Sequence, residues 1–306
     1  MDHSKVLFIL NDKPWFECAA LQKIKTSMHV TVSHFQNGEL SIHLEANVAD
    51  KDVVVVKRFS ANLHEDIFEL LQCIDILNRK GAKTITLLLP YYPYARQDHN
   101  ANWESQNALL LARLLADLGV SKIITMDMHA PEQLCNFPLK VVNLTLEHFW
   151  VNHLRTLGYD CNEIQIMAAD KSAMIRAQQI AFELDCSWGY VNKQRNKNGE
   201  VQILEVSSFS NKKRTFLIDD LMDTGRTIIA GTQALRRLSS QPITVCVTHC
   251  HATSALFTSL FSVGLSQLFT TDTLKSVAQI QPTKVDFVAL EIFSMLYAEI
   301  SRDYLA

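Results

Sequence analysis

Short apolar, β-branched runs alternate along this chain with longer stretches whose apolar residues recur at helical spacing. Val53–Phe59 (VVVVKRF), Thr84–Tyr91 (TITLLLPY), Lys122–His129 (KIITMDMH) and Ile164–Asp170 (IQIMAAD) each predict a buried strand. Thr215–Leu221 (TFLIDDL), Ile243–Cys250 (ITVCVTHC) and Leu265–Asp272 (LSQLFTTD) predict three more. Between them, Leu63–Arg79, Gln106–Leu118, Ala173–Leu184 and Thr227–Leu238 predict amphipathic helices. Strands without clean polar alternation, separated by helices, imply parallel sheets covered on both faces. The alternation occurs twice, over residues 1–145 and 146–306, and predicts two α/β domains. Val201–Val206, after an Asn/Lys/Gly stretch, predicts an inserted hairpin or flap. Ligands of such sheets sit beyond the carboxyl ends of the strands, so the polar residues there carry the chemistry.

Composition narrows the function classes. The 306 residues are 48% hydrophobic and 20% charged, which excludes a disordered tail protein and a collagen-like repeat. Twenty-nine basic residues against 32 acidic ones give no argument for nucleic-acid binding. Seven cysteines are scattered without a CxxC pair, which suits buried thiols in a reducing cytosol better than a disulfide framework or a zinc site. The five-residue apolar run near the N-terminus is far short of a signal segment, and no apolar stretch approaches about 18 residues. The expected address is the cytoplasm. Only nine glycines are present, few for an enzyme built on Gly-rich nucleotide loops.

The strongest local signal is FLIDDLMDTGRTI, Phe216–Ile228. An apolar strand runs into Asp219 and Asp220. Asp223, Thr224, Gly225, Arg226 and Thr227 then open a helix. Amide groups at a helix N-terminus, Thr hydroxyls and a Gly that admits close approach form a phosphate cradle. The two acids can accept hydrogen bonds from vicinal ribose hydroxyls, so cradle and acids together describe a ribose 5-phosphate site. The bland alternative is a capped helix, against which stands the expense of paired acids at a buried strand end. Arg96, Gln97 and Asp98 on another strand-end loop offer a cation for phosphate and polar groups for a base or sugar. His129 after Asp127, and Asp170 at a further strand end, suit a Mg²⁺-nucleotide role; a lone His there can equally be a satisfied interior residue. Lys193 and Arg195 in KQRNKNGE read either as a solvated charge run or as cations closing over a transition state. Phe35, Asn37 and Glu39 combine an aromatic with polar groups, as an adenine pocket does.

The Phe216–Ile228 segment resembles the phosphoribosyl-pyrophosphate (PRPP) motif of the phosphoribosyltransferase fold. LPYYPYARQDH, Leu89–His99, resembles the PYxxYARQD signature of the ribose-phosphate pyrophosphokinase (PRPP synthetase) family. FQNGEL at 35–40 resembles that family's FSDGE loop, and Glu45–Val48 its ENV step. TMDMHAPEQLCNFP at 125–138 resembles the DLHxxQxxGFF segment, AAD at 168–170 the PD step, and Lys193–Arg195 the K-x-R of the catalytic loop. The resemblance implies two tandem phosphoribosyltransferase-type domains. It implies Mg²⁺-dependent transfer of the β,γ-diphosphoryl group of ATP to the C1 hydroxyl of ribose 5-phosphate, giving PRPP and AMP. Asp219 and Asp220 are then expected on the ribose hydroxyls and a metal, and Asp223, Thr224, Gly225, Arg226 and Thr227 on the 5-phosphate. Phe35, Asn37, Glu39, Arg96, Gln97 and Asp98 are expected to bind ATP, the first three from a neighbouring subunit of a homo-oligomer. His129 and Asp170 are expected near metal, and Lys193, Arg195 and His129 in catalysis.

Departures from the family pattern bear on regulation and acceptor. Asn37 replaces a carboxylate, Ala49 replaces an Arg, and the loop after Asp98 is short and lacks basic residues. This predicts an absent or altered phosphate/ADP regulatory site. Lys171-Ser172 replaces a diglycine, and Arg226 stands where the synthetases usually have Gly. An added cation there makes a larger 5-substituted ribose, such as ADP-ribose, a second candidate acceptor. A PRPP-using phosphoribosyltransferase and a catalytically silent regulatory subunit complete the alternatives.

Overall fold

The computed structural model describes residues 5–9, 12, 15, 27–97, 105–135, 137–195, 201–251, 253–279, 286–296 and 298. The chain divides into two compact units, Met1–Leu144 with Glu291–Ala306, and Thr145–Leu290.

In the first unit the strands are β1 (Lys5–Ile9), β2 (Ser27–His29), β3 (Thr31–His34), β4 (Leu40–His43), β5 (Asp52–Val56), β6 (Thr84–Leu88), β7 (Val120–Met126) and β8 (Lys140–Leu144). Six of them form a parallel sheet in the order β2-β1-β5-β6-β7-β8, while β3 and β4 pair as a separate antiparallel hairpin. Helices α1 (Leu63–Arg79) and α2 (Asn107–Asp117) fall where the periodicity predicts them. The core face of α1 carries Asp66, Glu69, Leu70, Cys73, Ile74 and Leu77, a helical stripe that includes two acids.

Those acids have a partner. Lys57 follows β5 fully buried, its Nζ 2.7 Å from Asp66 Oδ1 and 2.9 Å from Glu69 Oε2. The next residue, Arg58, is also buried and holds both oxygens of Asp12 at 2.5 Å, with its guanidinium 4.5 Å from the centre of the Trp15 ring. The predicted strand Val53–Phe59 therefore stops at Val56, because Lys57 and Arg58 turn into ion pairs. Trp15 meets Phe293 edge to face at 5.1 Å. The tail from Glu291 thus groups with the first unit, whereas the sequence pattern assigns it to a domain spanning 146–306.

Burial pushes the Asp66 carboxyl up, but the charge and hydrogen bond of Lys57 and the hydrogen bonds from Ser60 outweigh it and hold Asp66 below the usual carboxylate range. A depressed native value adds stability that is present above the unfolded value of about 4 and lost as pH falls through the native one. The urea midpoint of the wild type should therefore fall more steeply from pH 5 to pH 3 than that of Asp66→Asn. Parallel pH profiles would show that Asp66 carries no such linkage.

In the second unit β9 (Ile164–Ala168), β10 (Ser187–Arg195), β11 (Val201–Ser207), β12 (Arg214–Met222), β13 (Ile243–Cys250), β14 (Gln267–Thr271) and β15 (Asp286–Leu290) form one sheet in the order β11-β10-β9-β12-β13-β14-β15. All neighbours are parallel except β10 and β11, which form the hairpin expected around Val201–Val206. Helices α3 (Glu147–Thr156), α4 (Met174–Glu183), α5 (Arg226–Leu238) and α6 (Ser254–Ser262) complete the unit. Gly189 is required where β10 runs beside β11, since a Cβ there would lie 2.2 Å from the Ser207 carbonyl oxygen. Cys246 and Cys250 are fully buried on β13, and the described cysteines are all free thiols.

Candidate active site

The strand order of the second unit reverses between β9 and β12, the position at which open α/β sheets bind ligands. Five expected residues meet there. Ala168 pairs with Ile218, and the Ala169 amide donates to the Ile218 carbonyl at 3.0 Å. This register sets Asp170, just past the end of β9, beside Asp219 and Asp220 on β12. Strand β10 runs on to Arg195 beyond Tyr190, the last of its residues to pair with β9, opposite Ala168, so Lys193 projects past the carboxyl edge of the sheet. A bulge between Asn192 and Lys193 re-aims the side chain there. Lys193 Nζ lies 2.6 Å from Asp170 Oδ2 and donates to Thr227 Oγ1 at 2.9 Å.

Thr227 belongs to the first turn of α5, which Gly225 opens in the left-handed region at φ +68°. A Cβ on Gly225 would lie 2.3 Å from Leu256 Cδ1. Gly225 has no side chain to cap the helix, and the first turn carries no acid. An anion is the natural complement of these amides and of the positive end of the helix dipole. Arg226 is exposed at the first helical position, where the dipole alone disfavours a cation and a bound phosphate would favour one.

The carboxyls are shifted in opposite directions. Asp219 is buried, and its amide neighbour Asp220 N–H donates to Asp219 Oδ1 at 3.0 Å. Burial, then the charges of Asp220 and Asp170, push the Asp219 carboxyl well above its usual range, against the pull of Lys193. Burial also pushes Asp170 up, but hydrogen bonds from Lys193 and Ser172, with the Lys193 charge and the Ala173 amide, leave it below its usual value. Among the described residues no three His, Cys, Asp or Glu side chains converge as a ready-made metal cage. The crowded Asp219–Asp220 carboxylates still fit Mg²⁺, whose charge would relieve their repulsion and which commonly takes one or two carboxylates with water and substrate phosphates.

The first unit holds the other expected residues. Arg96 is exposed and Gln97 half-buried on the loop after β6, and Gln97 Oε1 accepts from the Asn107 amide at 3.0 Å. Gln133 Nε2 donates to the Ala95 carbonyl at 3.0 Å, tying this loop to the short 3₁₀ turn that follows His129. Asp127, at φ +37°, follows β7 and leads to a half-buried His129. Phe35, Asn37 and Glu39 form the β3–β4 turn: Phe35 N–H donates to the Glu39 carbonyl at 2.8 Å and Glu39 N–H to Asn37 Oδ1 at 3.2 Å. Phe35 is 61% exposed, so its ring presents a free aromatic face. Asp98 and the start of the altered loop after it, and the Arg195 side chain with residues 196–200, lie outside the described residues.

Two family models match the chain. Residues 6–119 match the N-terminal domain of ribose phosphate pyrophosphokinase, and residues 144–264 match the phosphoribosyl transferase domain. The ribose-phosphate pyrophosphokinase of Oceanobacillus iheyensis is 30% identical over 303 residues, covering 98% of this chain and 94% of that one. The chain belongs to the ribose-phosphate pyrophosphokinase family. A second relative of that description, from Agrobacterium fabrum, is 30% identical over 254 residues, 83% of this chain and 82% of its own. The crystal structure of phosphoribosylpyrophosphate synthetase from Mycobacterium smegmatis shares the fold, with a TM-score of 0.88, 24% identity and coverage of 99% of each chain. The fold is thus the expected pair of phosphoribosyltransferase-type α/β domains, and the protein is an enzyme, a ribose-phosphate diphosphokinase.

The residues that sequence reasoning passed over are Ser172, read only as a departure from glycine, and Gly189. Ser172 Oγ donates to Asp170 Oδ1, as do the Ser172 amide at 2.8 Å and the Ala173 amide at 3.2 Å. Nothing in the local sequence distinguishes such a serine from a surface one.

Proposed function

We propose that the enzyme transfers the β,γ-diphosphoryl group of ATP to the C1 hydroxyl of ribose 5-phosphate, with Mg²⁺, releasing AMP. The observation that carries this reading is the meeting of Lys193, Asp170 and Thr227 at the mouth of an anion-seeking helix, beside paired acids at a sheet switch point. Asp219 and Asp220 bind the ribose hydroxyls and would hold the metal. Asp223, Thr224, Gly225, Arg226 and Thr227 bind the 5-phosphate. Arg96, Gln97, Asp98 and His129 bind Mg·ATP, and Phe35, Asn37 and Glu39 complete the adenine site from a neighbouring copy of a homo-oligomer. Asp170 and His129 stand toward metal as well. When bound, Mg²⁺ would neutralise charge on the reacting phosphates.

The C1 oxygen forms the new bond to the β-phosphorus, the bond from that phosphorus to the α,β-bridging oxygen breaks, and AMP leaves with that oxygen. The C1 hydroxyl proton passes to solvent. Such a displacement is governed by positioning and charge neutralisation, which Lys193 and Arg195 supply at the transferring phosphates. Single, scattered cysteines support a reducing, cytoplasmic setting.

Incubation with Mg·ATP and, in turn, ribose 5-phosphate, ADP-ribose or buffer alone, with products identified by mass, tests this reading. AMP and a diphosphorylated ribose 5-phosphate are expected. AMP formed only with ADP-ribose would assign the exposed Arg226 to a second phosphate of a larger acceptor. Absence of AMP with every acceptor would overturn diphosphotransfer.

A further inference from the structure

We propose that Ser172 is a positioning residue for Lys193, acting through Asp170. The two oxygens of Asp170 have separate tasks. Oδ1 accepts from the Ser172 hydroxyl, the Ser172 amide and the Ala173 amide, all in the turn that leads into α4. Oδ2 pairs with Lys193 Nζ at 2.6 Å, and that nitrogen in turn reaches Thr227 Oγ1 at 2.9 Å. The carboxylate plane is therefore fixed from one side by Ser172 and its turn, and the free oxygen is aimed at the lysine.

Lys193 needs such a guide. It lies beyond the last pairing of β10 with β9 and directly after a bulge, so the sheet fixes its backbone only through β11. Among the described residues, the polar contacts that hold its four-carbon side chain are Asp170 and Thr227. Asp170 alone would leave its carboxyl free to rotate about the Cβ–Cγ bond, a broad torsion with little intrinsic preference. The two turn amides restrain that rotation, and the serine hydroxyl adds a third hydrogen bond on the same oxygen. Glycine, which the family pattern favours at this position, has no hydroxyl, so this support belongs to this chain.

The inference rests on the diphosphotransfer reading for its kinetic consequence, but its geometry does not. The test compares wild type, Ser172→Ala and Ser172→Thr by crystallography of the unliganded full-length enzyme and by steady-state kinetics. The Ala variant should lose the Lys193–Thr227 hydrogen bond, with Nζ beyond about 3.5 Å of Thr227 Oγ1. Its kcat should fall about tenfold with KM for ATP changed less than about twofold, since one hydrogen bond to a charged group is removed while two amide bonds remain. Ser172→Thr should restore both geometry and kcat. An Ala variant that keeps Lys193 on Asp170 and Thr227 overturns the proposal, as does an unchanged kcat or a fall that Thr does not rescue. A wild type that yields no AMP defeats the diphosphotransfer reading instead, and the crystal structures still decide the role of Ser172.

Discussion

Lys193→Ala should lower kcat by about 10²–10³ while changing KM for ATP by less than about threefold. The expectation follows from where the ammonium sits. It bridges Asp170 and Thr227, one at a strand end that faces the paired acids, the other in the first turn of the anion-seeking helix. A cation in that place gains most when charge accumulates on phosphoryl oxygens in transit, and less from ground-state ATP, whose binding residues are proposed on the first unit. Removing it also leaves Asp170 without the partner that keeps its carboxylate below the usual range. Lys193→Arg should recover only part of the loss, because a planar fork does not reproduce a point charge shared between a carboxylate and a hydroxyl. Steady-state kinetics with both substrates varied checks this. A kcat unchanged in the Ala variant would remove Lys193 from the reaction.

Lys57→Met should destabilise the first unit by about 3–5 kcal/mol. The side chain is fully buried between Asp66 and Glu69, so its loss takes the lysine charge away from two carboxylates inside the unit. The attraction within such a cluster can be cancelled by the desolvation that burying it requires, but removing the lysine leaves Glu69, and Asp66 with its Ser60 hydrogen bonds, buried without the lysine charge. The triple substitution Lys57→Met with Asp66→Asn and Glu69→Gln should therefore regain much of the loss. Hydrogen exchange of the α1 amides, Leu63–Arg79, reads the effect where it arises. Exchange there should accelerate by two to three orders of magnitude in the single variant. Equal protection in Lys57→Met and wild type would show that the buried cluster contributes nothing to stability.

What the sequence made legible follows from which interactions are local. The strand-to-helix run through Asp219, Gly225 and Thr227 is contiguous, so periodicity and turn chemistry locate it, and α1 falls at its predicted limits for the same reason. Asp170 was reachable because a parallel sheet puts its chemistry at strand ends. Lys193 could equally have been a solvated cation; only the extension of β10 past β9 brings it to Asp170.

The rest depended on long-range partners. Lys57 and Arg58 look like a polar end to an apolar strand, and their burial is set by Asp12, Asp66 and Glu69, supplied by separate segments. The tail groups with the first unit, where Phe293 meets Trp15, a contact no periodicity encodes. Ser172 and Gly189 matter through single contacts, a hydroxyl on a carboxylate and a carbonyl 2.2 Å from an absent Cβ. The shortage of glycine was informative in the end: Gly225 occupies a left-handed position in the cradle, while Ser172 fills a place the family pattern gives to glycine and adds a hydrogen bond there.

The central claim is that the C1 hydroxyl oxygen of ribose 5-phosphate becomes the bridge to the transferred diphosphate. Ribose 5-phosphate labelled with ¹⁸O at C1, incubated with enzyme, ATP and Mg²⁺, tests it directly by mass spectrometry and ³¹P isotope shift of the products. The account predicts AMP free of label and a diphosphorylated ribose 5-phosphate that retains ¹⁸O in its C1–O–P bridge. A product whose bridge has lost the label while the unreacted ribose 5-phosphate retains it, or a reaction that yields no AMP, would contradict it.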